Sequence, residues 1–109
     1  MDPQDNQTLI APSFARLYMT PGQSRPSLPL RELAARHELC EDMAQLLSAQ
    51  VAQQQFQRGI PEALALEHCL QGLLATPEVL GEAEARWVVC RLAELLHWPL
   101  PAWAPPVAT

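Results

Sequence analysis

An all-α fold, a three-helix antiparallel bundle between irregular proline-rich ends, follows from two observations. The first is the placement of proline. The chain has eleven prolines, and none lies between Leu30 and Ile60. Five stand at positions 3, 12, 21, 26 and 29, and four at 99, 101, 105 and 106. Pro61 and Pro77 each follow an apparent helix end. Proline lacks a backbone N–H and clashes with the preceding turn, so it is excluded from helix interiors. The second observation is that apolar residues in the proline-poor stretch recur at spacings of three and four, the period of one helix side. Together they divide the chain into an arm (1–28), a helical domain (29–98) and a tail (99–109).

The arm is expected to be irregular except for a short helical turn near 13–19. Ser13 can cap it, and Phe14, Leu17 and Tyr18 share one side at i, i+3 and i+4. Pro21-Gly22 ends it. A small apolar patch in a polar arm docks on something, either its own domain or another protein.

The first long helix is expected at about 29–58. Pro29 suits a first turn, and Gly59-Ile60-Pro61 is a strong stop. Leu30, Leu33, His37, Cys40, Ala44, Leu47 and Val51 form its core stripe, which Leu39, Met43 and Leu46 widen. The apolar arc is too wide for one coiled-coil seam and predicts more than one neighbour. Arg31, Glu38, Asp42 and Gln45 hold the solvated side, and Glu32 can pair with Arg36 at i, i+4.

A second helix is expected at about 61–75, with Ala63, Leu66, Leu70, Leu73 and Leu74 inward, and a stop at Thr76-Pro77. Glu78, Val79 and Leu80 then make a turn up to Gly81. The third is expected at about 82–98, with Ala85, Val88, Val89, Leu92, Leu95 and Leu96 as its core side and Pro99 as its stop. Glu82 and Glu84 complement its positive amino end. The first helix would be about 45 Å long and the other two about 25 Å. The excess length is expected to be covered by a kink, by the arm folding back, or by a second copy, and a homodimer is the preferred reading.

Composition excludes several functions. Net charge is −5, and the seven basic residues are all arginine. An acidic chain with scattered arginines is a poor binder of phosphate backbones, so no nucleic-acid partner is expected. The absence of lysine fits a GC-rich genome. No apolar run approaches the ~20 residues needed to cross a bilayer. The acidic, polar start has no secretory pattern, so no membrane partner and a cytoplasmic location are expected.

No phosphate-binding glycine loop, HExxH or GxSxG is present, so no enzyme activity and no cofactor are expected. Glu38, Glu41 and Asp42 cluster on one flank, which reads as a solvated acidic face. His37 with Cys40, His68 with Cys69, and Cys90 with His97 suggest a metal- or redox-responsive sensor as the alternative function. No CxxC accompanies them, His68 and Cys69 point about 100° apart, and Cys90 and His97 are two turns apart, so only His37 and Cys40 at i, i+3 could both reach one ion. Buried thiols are the simpler reading, and no metal ligand is assigned.

Trp87 lies opposite the expected core side of the third helix, and Arg91, Glu94 and Trp98 follow at +4, +7 and +11 as one strip. Trp and Arg dominate interface hot spots. Trp87, Arg91, Glu94, Trp98, Phe14, Leu17 and Tyr18 are therefore the candidate interaction residues, unless an end of the chain packs over Trp87. Trp103 can join the same cluster.

Three stretches carry a family resemblance. They are Ile10-Ala11-Pro12-Ser13-Phe14, then Ala34-Ala35-Arg36-His37-Glu38-Leu39-Cys40-Glu41-Asp42, and Trp87-Val88-Val89 followed by Arg91-Leu92-Ala93-Glu94-Leu95-Leu96. From about residue 10 to 98 the chain resembles a family of short helical proteobacterial proteins that often carry the label "ATPase with chaperone activity". The label implies nucleotide hydrolysis, for which this chain has no phosphate loop, and no catalytic residue carries over. In that family a Tyr commonly stands where His37 is here and an Arg where Cys90 is, which argues against a metal. The resemblance places the Phe14 element and Trp87 in the family pattern, and this suits a non-enzymatic protein-interaction module: an adaptor, regulator or chaperone-like accessory.

Overall fold

The computed structural model describes residues 10–23 and 25–104. The remaining parts of the expected arm and tail, residues 1–9, 24 and 105–109, lie outside the described residues. The protein is all-α, with no strand among the described residues. Helix α1 spans Pro12–Ala15 and runs into a 3-10 turn, Arg16–Tyr18. Helix α2 spans Leu30–Arg58, α3 Glu62–Leu74 and α4 Glu82–Leu96.

Each boundary has a local cause. Thr20 to Gln23 form a turn closed by the Gln23 N–H on the Thr20 carbonyl, with Gly22 at φ 88°. Helix α2 starts directly after Pro29 and ends at Gly59, whose φ of 64° is the left-handed cap that glycine adopts without penalty. The N–H groups of Gly59 and Ile60 both reach the Gln55 carbonyl. Helix α4 ends two residues earlier than expected, because His97 takes the left-handed cap at φ 60° and the Trp98 N–H returns to the Ala93 carbonyl at 2.9 Å. Pro99 only follows a stop already made. Trp98 is thereby taken off the helix, so it does not extend a strip from Trp87.

Helix α4 is the centre of the core. It packs against α2 and α3, and those two touch each other. Ala85, Val88, Val89, Leu92 and Ala93 are all fully buried on it. Leu33, Cys40, Ala44 and Val51 from α2 and Ala65, Leu66, Leu70 and Leu73 from α3 join the same buried cluster. Leu80, from the α3–α4 loop, is also buried. Several expected inward residues point out instead: Leu30 is 58% exposed, Leu46 64% and Leu39 37%, and Ala63 is exposed. No described helix is long and apolar enough to cross a membrane.

Candidate functional site

The arm is part of the core. Phe14 has no exposed surface. Its ring meets Trp87 edge-on at 5.2 Å between centroids, His37 edge-on at 5.3 Å and Tyr18 at 5.7 Å. His37 and Trp87 also meet, at 5.6 Å. Such pairs contribute about 0.5–1.5 kcal/mol each beyond the area they bury. Ser13 does not cap α1, whose N-cap is Ala11. Its Oγ instead accepts the Trp87 indole N–H at 2.9 Å.

Of the two readings the sequence leaves for Trp87, a free interaction residue or one covered by an end of the chain, the structure shows the second: Trp87 is 9% exposed, because residues 11–18 close over it. Phe14, Leu17 and Tyr18 are turned inward by the same docking, with Leu17 and Tyr18 half-buried. Trp98 is half-buried against the core, and Trp103 stands over α4 with the Arg86 guanidinium 4.9 Å from its ring centroid.

Two ion pairs fasten α2 to α4. Glu84 is the only buried charged side chain among the described residues. It accepts from Arg36 Nε at 3.0 Å, Arg36 Nη2 at 2.5 Å, the Gly81 N–H at 3.4 Å and the Tyr18 hydroxyl. Burial pushes its carboxyl up, but the hydrogen bonds from Arg36 and Tyr18 outweigh this and hold it below the usual carboxylate range. Burial, reinforced by Glu84, pushes the Tyr18 phenol up to about 12. Arg36 also donates to the Val79 carbonyl, so it serves the long-range partner and not Glu32.

In the second pair, Arg91 holds Glu41 through Nε at 2.8 Å and Nη2 at 3.1 Å, with Glu94 at 3.3 Å from Nη1. The hydrogen bonds from Arg91 keep Glu41 below the usual range. Glu41 thus leaves the acidic flank expected for it, while Glu38 and Asp42 stay exposed.

A cleft of about 420 Å³ lies over the first pair, lined by Tyr18, Leu28, Glu32, Ala35, Arg36 and Glu84. Arg36, Glu84 and Tyr18 are all engaged with one another there, so the arrangement acts as a clamp between arm, α2 and α4. His37 Nε2 accepts the Ala11 N–H at 3.4 Å and so is committed to the arm. All three cysteines are free thiols. Burial pushes Cys40 up to about 12, and Cys69 and Cys90 to about 11, which leaves little thiolate near neutral pH. Among the described residues no three or more His, Cys, Asp or Glu side chains are grouped to share a metal ion.

The largest exposed apolar side chain among the described residues is one the sequence does not single out. Phe56, near the carboxyl end of α2, is 84% exposed. Leu46 and Leu39 lie on the same outer side of that helix, turned away from α3 and α4. The signal available beforehand was electrical: the fifteen residues from Met43 to Gln57 carry no charge. No family model matches the chain, and neither a curated protein nor a solved structure matches it.

Proposed function

We propose that this chain is a non-enzymatic protein-interaction module of the cytoplasm, an adaptor, regulator or chaperone-like accessory. Its scaffold is an antiparallel three-helix bundle, and it works as a homodimer and through a protein partner. One observation carries the reading: Phe56 stands 84% exposed on an uncharged stretch of α2. A single exposed leucine is ordinary on a protein surface. Phe56 and Leu46 exposed together within four uncharged turns, with Leu39 one turn beyond Asp42 on the same outer side, make a contact surface.

A photo-crosslinking amino acid placed at position 56 in cells tests the reading. Ultraviolet-dependent adducts with protein, self or other, are expected from position 56 and not from the exposed loop position Glu78. Absence of any adduct from position 56 overturns it. Turnover of ATP by the purified chain overturns its non-enzymatic part.

A further inference from the structure

The outer side of α2 has a seven-residue repeat. Leu39, Asp42, Leu46, Ala49, Gln53 and Phe56 are spaced 3-4-3-4-3, and every one is exposed. Leu39, Leu46, Ala49 and Phe56 are apolar, and Asp42 and Gln53 are the polar members. At 100° per residue this stripe lies about 170° from Leu33, Cys40, Ala44 and Val51, the residues α2 buries. The stripe is thus a coiled-coil seam on the side of α2 that the domain leaves open. It is about 27 Å long.

We propose that the seam pairs with the same seam of a second copy of this chain, antiparallel, with Leu39 opposite Phe56. This rests on the interaction-module reading above and specifies its first partner. The register follows from the spacing. In an antiparallel pair centred between Leu46 and Ala49, Leu39 meets Phe56 of the second copy, Asp42 meets Gln53 and Leu46 meets Ala49. All six positions are used. Every apolar residue meets an apolar one, and at the centre the large Leu46 faces the small Ala49, so the helices can approach closely.

Charge selects the same arrangement. Two copies at −5 each repel, so they associate where neither carries charge, and Met43 to Gln57 is such a stretch. Parallel pairing in register would put Asp42 on Asp42, a like-charge contact inside the seam. Antiparallel pairing puts Asp42 against Gln53, whose side-chain amide donates a hydrogen bond to the carboxylate. It also opposes the helix dipoles. A strip about 27 Å by about 10 Å falls short of the standard interface of about 800 Å² per partner, so the pair is a weak, exchanging one.

Cysteine pairing tests the register. Asp42→Cys and Gln53→Cys, each made with the half-buried Cys69 and Cys90 replaced by serine so that native thiols cannot pair, sit on exposed polar positions and leave the core intact. Oxidised together, the two variants should form a disulfide-linked dimer band on a non-reducing gel. Oxidised separately they should not, because like positions lie about 16 Å apart along the pair. Bands from either variant alone, or no band from the mixture, overturn the proposal. In light scattering, Phe56→Glu should raise the concentration for half-dimerisation about tenfold or more. An unchanged dimer overturns the seam. A wild-type chain that is monomeric at 200 µM by light scattering, yet forms photo-adducts with another protein from position 56, overturns this pairing and leaves the broader reading standing. If neither self-association nor adducts occur, both fail.

Discussion

The indole N–H of Trp87 on α4 donates to Ser13 Oγ in the arm across 74 positions of sequence. That bond and the Phe14 ring beneath it make residues 11–18 a structural part of the domain. A helical core of about 70 residues alone buries only about 60% of its unfolded surface and is marginal. The arm adds an aromatic cluster to it.

Phe14→Ala should therefore unfold more easily by about 3–5 kcal/mol, the usual cost of emptying a phenylalanine site. In urea titration the midpoint falls, and in two-dimensional NMR the Trp87 indole N–H signal moves toward its solvent-exposed position. Ser13→Ala should cost about 1 kcal/mol, since it leaves the indole donor unmatched at a nearly buried site. A Phe14→Ala protein as stable as wild type would mean that the arm is not docked.

Arg36→Ala should be the costliest surface-accessible substitution. It strands the Glu84 carboxylate, whose side chain is 7% exposed, with only Tyr18 and Gly81 as donors. Breaking a buried ion pair costs about 3–5 kcal/mol, but the Arg36 side chain is 35% exposed and screened, so about 2 kcal/mol is expected. Arg36→Lys should recover only part, because an ammonium cannot make the two-pronged contact. Equal stabilities of wild type and Arg36→Ala in urea would refute the clamp.

Stability should fall as pH drops below about 6.5, the ordinary histidine value. Burial lowers the pKa of His37; Glu41 opposes this shift and Arg91 adds to it, both facing the ring while bonded to each other. The neutral ring is the form that accepts the Ala11 N–H. The unfolded chain thus takes up a proton at His37 before the folded one does, so the contribution is complete above pH 6.5 and is lost on acidification. Between pH 7.5 and 5.5 the urea midpoint should decline in wild type, and His37→Phe should flatten that decline. An NMR titration placing His37 above 6.5 would contradict the sign.

Much of this architecture was legible in the sequence, and the misses share a cause. Proline and glycine mark helix ends through their own backbone chemistry, so α2 is found within one residue of its true start. Leu66, Leu70, Val88 and Leu92 are inward because a helix buries the side its period makes apolar. A helical wheel, however, knows only its own helix. It puts Trp87 outside because it cannot see an arm arriving from 74 positions away. It pairs Arg36 with nearby Glu32 when the real partner, Glu84, is 48 positions off. It counts Leu39 and Leu46 as core because apolar character does not say whether a neighbour packs there.

The two left-handed helix caps should respond oppositely to substitution. Gly59 sits at φ 64° and His97 at φ 60°, nearly the same backbone. A side chain there brings Cβ against the carbonyl and costs about 1–2 kcal/mol, which glycine avoids. Nothing lies within 4 Å of a Cβ built on Gly59, so Gly59→Ala meets no neighbour and its cost is backbone strain alone. It should destabilise by about 1 kcal/mol, while His97→Gly should stabilise by up to about 1 kcal/mol, the glycine's extra unfolded-state entropy taking back part of the gain. For a chain of this size 1 kcal/mol moves the thermal midpoint by about 4–8 °C, so calorimetry resolves both. Since His97 is exposed and its left-handed backbone is all that ends α4 before Pro99, a His97→Gly protein that melts lower would mean that the imidazole makes a contact the fold depends on.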